Sequence, residues 1–183
     1  MPFVGSKLDI GWWIFPFTIF VFLATVNCVN LTDGLDGLAS GVCMPFFLFF
    51  GSLITMQNGD VGLAAISISL SSSLLAYLIF NSHPANVFMG DTGSLALGGL
   101  AAAIGVFSGN VLYIAIVGLC FVVSGVSVIM QVCYFKLTKG KRIFKMSPIH
   151  HHFQQIGYSE SKISYAYFTL TVILSVICFS FSV

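Results

Sequence analysis

The chain is short of charge. Of its 183 residues only 7% are Asp, Glu, Lys or Arg, against the quarter, or about 46 residues, usual in a globular sequence. So few charges cannot cover a water-soluble surface. A hydrophobic share of 57% equally excludes a disordered chain, which needs low hydrophobicity and high net charge. The net charge is +1, so no basic field exists for nucleic acid, and nucleic acid is excluded as a partner. C-x-x-C spacing, a G-x-G-x-x-G loop and a Walker loop are all missing, which removes the common zinc and soluble nucleotide folds. Cys28, Cys43, Cys120, Cys133 and Cys178 are odd in number and lie in apolar runs. They read as small buried hydrophobes rather than a disulfide framework. What remains is an all-α polytopic protein whose first partner is the lipid bilayer.

The gaps between charges count the crossings. Residues 10–32, 37–59, 61–82, 92–135 and 163–183 contain no Asp, Glu, Lys, Arg or His. A helix needs about 20 residues to cross 30 Å of hydrocarbon. Four of these blocks therefore hold one crossing each. The block of 44 holds two, joined by Ser108-Gly109-Asn110. The expected helices are 11–29, 38–56, 62–80, 93–107, 111–134 and 163–182, in a single integral membrane domain over 1–183. The first could be taken for a signal peptide, but Lys7 followed by Asp9 is a poor n-region and five further apolar stretches follow. The fourth is short, and Gly93, Gly98, Gly99 and Ala101–Ala103 predict close helix packing.

Alternation then assigns the loops to sides. Loops 30–37, 81–92 and 135–162 share one face, and 57–61 and 108–110 the other. Lys136, Lys139, Lys141, Arg142, Lys145 and Lys162, six of the seven basic residues, fall on the first face, which is expected to be cytoplasmic. Every polar cluster with chemical potential lies there too.

The first cluster is Asn30-Leu31-Thr32-Asp33-Gly34-Leu35-Asp36-Gly37-Leu38. One reading is capping, with Thr32 or Asp33 as N-cap and Asp36 closing a capping box. The other takes Asp33 and Asp36 as carboxylates at i and i+3 on one helix face, suited to Mg²⁺ or a polar ligand, with Gly34, Gly37 and Gly41 admitting the ligand closely. The second cluster, His83-Pro84-Ala85-Asn86-Val87-Phe88-Met89-Gly90-Asp91-Thr92-Gly93-Ser94, offers Asp91 as a helix cap or as a metal ligand. Phe88 there is an interfacial anchor or a platform for a flat base. The third cluster is Pro148-Ile149-His150-His151-His152-Phe153. Consecutive imidazoles lack the i, i+4 spacing of a zinc pair, but with Lys145 they suit a phosphate, carrying partial charge near neutral pH.

The strings NLTDGLDGLASG, HPANVFMGDTGSLALGG and PIHHHF, in this order and loop placement, resemble the phospho-N-acetylmuramoyl-pentapeptide transferases. These form a branch of the polyprenyl-phosphate sugar-1-phosphate transferase superfamily. The triple histidine after Pro148-Ile149 favours this branch over its N-acetylhexosamine relatives. The resemblance implies Mg²⁺-dependent transfer of phospho-N-acetylmuramoyl-pentapeptide from UDP-N-acetylmuramoyl-pentapeptide to undecaprenyl phosphate, releasing UMP, at the bacterial cytoplasmic membrane. Carried over, it makes Asp33, Asp91 and His151 catalytic, with Asp91 the Mg²⁺ ligand. It gives substrate contacts to Asn30, Gly34, Leu35, Asp36, Phe88, Gln131, His150 and His152, with Phe88 stacked on the uracil. It also implies a homodimer.

Two departures stand out. Gln154 occupies a position where many members carry Glu. The resemblance also implies a longer fold of about ten membrane helices of about 20 residues each. Its first half carries an Asp-Asp pair and a lysine, and this sequence has no Asp-Asp pair. The chain is therefore expected to correspond to the C-terminal half and to be inactive alone, with a missing N-terminal half as its partner. The competing functions are an N-acetylhexosamine-1-phosphate transferase, a non-catalytic fragment, and a transporter or channel. The last expects charges at mid-helix, where this sequence has none.

Overall fold

The computed structural model describes residues 11–182, so Lys7 and Asp9 lie outside it. After a single 3-10 turn at Gly11–Trp13 come α1 (Ile14–Thr32), α2 (Leu38–Met56), α3 (Val61–Asn81) and α4 (Gly90–Phe107). Next are α5 (Val111–Val117), α6 (Leu119–Leu137), α7 (Ile149–Gln155) and α8 (Glu160–Ser180). Among the described residues there is no strand, and six helical stretches are long and apolar enough to cross a membrane.

The bundle is built around α2, which packs against α3 and α8, while α1 packs against α4 and α6. Of α2's span 78% is buried, against 17% of α1's and of α8's. Its charge-free sequence tolerates this because it carries a continuous aromatic stripe. Phe46 stacks on Phe50 with centroids 4.8 Å apart, and meets Phe47 and Phe121 edge-on at 5.5 and 5.6 Å. Such pairs are worth about 0.5–1.5 kcal/mol each beyond area burial. Between lipid-solvated helices the hydrophobic effect drives little, so small residues set the approach distances. A Cβ on Gly98 of α4 would stand 2.6 Å from the Val26 Cα of α1. One on Gly51 of α2 would stand 2.6 Å from Ile68 Cγ1 on α3. Gly99 faces open space, so the tight packing expected of α4 rests on Gly98 rather than on the glycine pair.

Two helices depart from expectation. The fourth is not short: it begins at Gly90, whose φ of 64° suits glycine, and its 18 residues carry Asp91 in the first turn. The fifth is not one helix over 111–134. It is interrupted at Gly118, a weak helix former against which Phe121 and Phe46 close at 2.9 and 3.4 Å from where a Cβ would be. The 19 residues of α6 make the crossing, and α5 precedes it as two turns. The cysteines are all free, but only Cys43, Cys120 and Cys178 are buried, and Cys133 is exposed on α6.

The loop assignment by alternation is reproduced in space. At one end Asn110 Nδ2 donates to Gln57 Oε1 at 2.9 Å, joining the α2–α3 and α4–α5 connections. At the other end the α1–α2, α3–α4 and α6–α8 connections meet.

Candidate functional site

The α1–α2 loop is the centre of that meeting. Capping does not explain its carboxylates. Asp33 is the C-cap of α1, and the N-cap of α2 is Gly37, with φ of 69° and no side-chain cap. Thr32 donates its hydroxyl back to Cys28 O at 2.8 Å. A true acidic cap exists elsewhere: Asp60 Oδ1 accepts from Leu63 N–H at 2.8 Å at the start of α3. Nor do Asp33 and Asp36 share a helix face, because residues 33–37 are turn and the two side chains serve different neighbours.

Asp33 faces Asp91. Burial, and then the Asp91 charge, hold its carboxyl above the usual aspartate range. Asp91 does not cap α4 either, since the N-cap position is Met89 with no side-chain bond. Instead Asn30, in the last turn of α1, donates both amide hydrogens across the helix pair. They reach Asp91 Oδ1 at 3.0 Å and the buried Ser94 Oγ at 2.9 Å. Ser94 in turn donates to Gly90 O at 3.1 Å. Asn30 thereby sets the orientation of Asp91. Among the described residues neither Asp33 nor Asp91 has a basic side chain at ion-pair distance, so a pair of hard oxygen donors remains with its charge unbalanced.

Asp36 turns the other way. Its Oδ2 accepts from Ala85 N–H at 3.0 Å and lies 2.9 Å from His83 Nδ1. Its backbone carbonyl accepts from Ser164 on α8 at 2.9 Å. Phe88, six residues after its turn begins, is 74% exposed just ahead of α4, with its ring unpacked. The segment that carries it is held by a residue sequence reasoning missed. Buried Asn81 accepts from Ser40 Oγ at 2.6 Å and donates to Val87 O at 2.9 Å. Gly34 and Leu35 supply backbone that is already committed to the turn, with Gly34 N–H donating to Thr32 O and Leu35 O accepting from Leu38 N–H. The Leu35 side chain is in the core.

The triple histidine lies on α7, a short helix that nothing in the charge pattern announces. Ser127 of α6 anchors it, accepting from Ile149 N–H at 3.0 Å and donating to Ser124 O at 2.7 Å. Gly34 is where α7 meets the first loop. A Cβ there would fall 2.4 Å from His150 Nε2 and 2.9 Å from His151 Nε2, so only glycine fits beneath the two rings. The three imidazoles do not act alike, which corrects the expectation of shared partial charge. His150 is fully buried with neither ring nitrogen hydrogen-bonded. Burial, and then His151, push it down to about 3, so it is neutral near pH 7. His151 Nδ1 lies 3.2 Å from Gln154 Oε1. Gln154 must offer its NH₂ to Glu160 Oε1, which only accepts, at 2.9 Å. Its Oε1 therefore receives a proton from His151 Nδ1, and the lone pair of neutral His151 is on Nε2, at Gly34. His152 points elsewhere: its Nδ1 accepts from Lys145 N–H at 3.2 Å. Gln131 is also occupied, accepting from Ile143 and Phe144 N–H at 3.1 and 3.0 Å and donating to Phe144 O. Both residues brace the 138–148 loop and are not brought to the Asp33–Asp91 pair.

A bundle of membrane-crossing helices, with carboxylates, amide and imidazoles gathered at one end, is the layout of an enzyme that works at a membrane surface. The pattern of glycosyl transferase family 4 matches residues 1–109, and the chain belongs to that family. Similar proteins include phospho-N-acetylmuramoyl-pentapeptide-transferases. That of Clostridium perfringens (strain 13) is 47% identical over 180 residues, 98% of this chain and 56% of the relative. That of Clostridium botulinum (strain Eklund 17B) is 48% identical over 179 residues, covering 98% and 55%. That of Caldanaerobacter subterraneus subsp. tengcongensis is 45% identical over 179 residues, covering 98% and 56%. The chain thus spans about half the length of the curated relatives it matches. It is a multi-pass bacterial membrane protein of a phospho-sugar transferase family.

Proposed function

We propose that the protein to which this chain contributes transfers phospho-N-acetylmuramoyl-pentapeptide from its UDP carrier to undecaprenyl phosphate, releasing UMP on the cytoplasmic side. The observation that carries this reading is the meeting at one end of the bundle of the Asp33–Asp91 carboxylate pair with its orienting Asn30 amide and, at the adjoining Gly34, two imidazoles. A charged nucleotide arrives there from water, and a lipid phosphate meets it at headgroup depth.

The geometry supports a role for each residue. Asp91, held by Asn30, is the ligand for Mg²⁺, with Asp33 beside it. The donor set fits, because two carboxylates without a basic partner are hard oxygen donors of the kind that ion takes. When bound, Mg²⁺ supplies charge neutralisation on the transferring phosphoryl group. Asp33 has its proton affinity raised by burial and by Asp91, which suits it to take a proton from the acceptor phosphate. His151 has its Nε2 at Gly34, next to Asp33 in the chain, and its buried neutral neighbour His150 packs the ring from behind without bringing charge. The exposed Phe88 ring offers a face for the uracil. Asp36, Gly34 and Leu35 form the wall on the nucleoside side, and the protein works as a homodimer.

The test is UMP release by the intact protein, given both substrates and Mg²⁺. Asp91→Asn is expected to abolish it while the thermal unfolding midpoint stays unchanged. Undiminished turnover at saturating substrate would remove Asp91 from the reaction. UDP-N-acetylglucosamine is expected to compete poorly, and effective competition would point instead to an N-acetylhexosamine transferase.

A further inference from the structure

One polar cluster stands apart from Asp33 and Asp91. Asp36 in the α1–α2 loop, His83 in the α3–α4 loop and Glu160 in the first turn of α8 bring one donor atom each within 4.8 Å of one another. His83 Nδ1 is 2.9 Å from Asp36 Oδ2 and 3.8 Å from Glu160 Oε2. We propose that Asp36, His83 and Glu160 form a binding site for a first-row divalent transition cation that staples three distant segments at this end of the bundle.

Three features support a cation over a simple ion pair. A single proton on Nδ1 satisfies Asp36 and leaves Glu160 Oε2 with no share of it, so two carboxylates stand close together with at most one positive charge between them. A divalent ion would engage all three. With bonds of about 2.1 Å, ligands of one ion lie about 3 to 4.2 Å apart, and the two separations from His83 Nδ1, 2.9 and 3.8 Å, match that range. Both carboxylates are also fixed by outer partners: Ala85 N–H donates at 3.0 Å to Asp36 Oδ2, the oxygen that faces His83, and Gln154 Nε2 donates to Glu160 Oε1 at 2.9 Å, leaving Oε2 for the ion. Metal ligands are characteristically oriented by such outer partners.

The donor set decides the class. One imidazole nitrogen with two carboxylate oxygens is softer than an all-oxygen magnesium site and harder than a thiolate site, which suits zinc, iron or manganese. Access exists as well. A cleft of about 210 Å³ lined by Asp36, Ser82, His83, Ser161 and Tyr165 opens beside the cluster, with room for water on the remaining coordination positions.

Asp36 is shared with the nucleoside wall of the proposed function, but His83 and Glu160 are not, and the test does not read turnover. The intact protein in detergent micelles, stripped with chelator and held in excess Mg²⁺ to fill hard-oxygen sites, is titrated calorimetrically with Zn²⁺. One Zn²⁺ per chain is expected. His83→Ala and the isosteric Glu160→Gln should each weaken binding about 10- to 100-fold, whereas Asp91→Asn should leave it unchanged. Unfolding midpoints without metal identify any variant that fails to fold, and Glu160→Gln carries the test if His83→Ala does. Absence of saturable binding, undiminished affinity in both variants, or loss only in Asp91→Asn would each overturn the site.

Discussion

His150 makes a quantitative claim on stability. The ring is fully buried, neither nitrogen has a partner, and its protonation is suppressed to about 3. In the unfolded chain the same group titrates near 6.5. The folded value is the lower one, so the unfolded state binds the extra proton first as pH falls. The contribution to stability is then fully present above 6.5 and is lost as pH drops towards the folded value. The slope is one proton, about 1.4 kcal/mol per pH unit, so acidification from 6.5 to 5 should cost about 2 kcal/mol through this residue alone. For a chain of this size that is about 4–8 °C in the unfolding midpoint. Carboxylates begin to titrate lower down, so the comparison belongs in that window and against a His150→Leu variant, which removes the titration while filling the same space. Thermal unfolding of both, followed in detergent by intrinsic tryptophan fluorescence at several pH values, reads the difference directly. Parallel pH profiles would refute the reasoning, as would an NMR titration showing His150 protonated near pH 6.

Three further outcomes are expected. Gly34→Ala should displace both rings above it and lower kcat about 100-fold with little change in unfolding midpoint, since misplacing reacting groups by about 1 Å has that effect. Gly98→Val drives a side chain into the Val26 backbone, which cannot yield, and should lower thermal stability by about 1–3 kcal/mol wherever activity is assayed. Asp33→Asn should raise the unfolding midpoint at neutral pH. The folded carboxyl holds its proton more tightly than the unfolded one, so ionisation opposes folding once pH exceeds the unfolded value, and the benefit should vanish in acid below about 3.8.

Most of the membrane architecture was legible in the sequence, because a charge inside hydrocarbon is too costly to hide. The gap 37–59 returns α2 as Leu38–Met56 without error, and the other crossings apart from the fifth begin and end within a few residues of the expected positions. The grouping of three loops on one side followed from parity alone. What the charge pattern could not carry is whatever depends on apolar sterics or on pairings distant in sequence. The break falls at Gly118, where the local Phe121 and also Phe46, seventy-two residues away, close on the position a Cβ would take. The short helix α7 leaves no membrane-length gap. Gln131 was given to substrate by the resemblance, and in the structure its side chain is taken up by the neighbouring loop. The roles of Asn81, Ser94 and Ser127 depend on their burial against loops distant in sequence, which residue type alone does not announce.

The glycines of the first motif show how sequence and site connect. As a group they suggested backbone opened to a ligand, yet each does something separate. Gly37 supplies a left-handed φ that starts α2 without a side-chain cap. Gly41 merely touches Phe168. Gly34 is the one that admits another group, and that group is the imidazole pair of α7. With capping handed to Gly37, both carboxylates are released from local duty. Asp33 goes to the α4 side to stand with Asp91, and Asp36 goes to the α3 and α8 side to stand with His83 and Glu160. A five-residue turn thus divides two like charges that would otherwise repel at i and i+3. It places between them the glycine over which the His150 and His151 rings close.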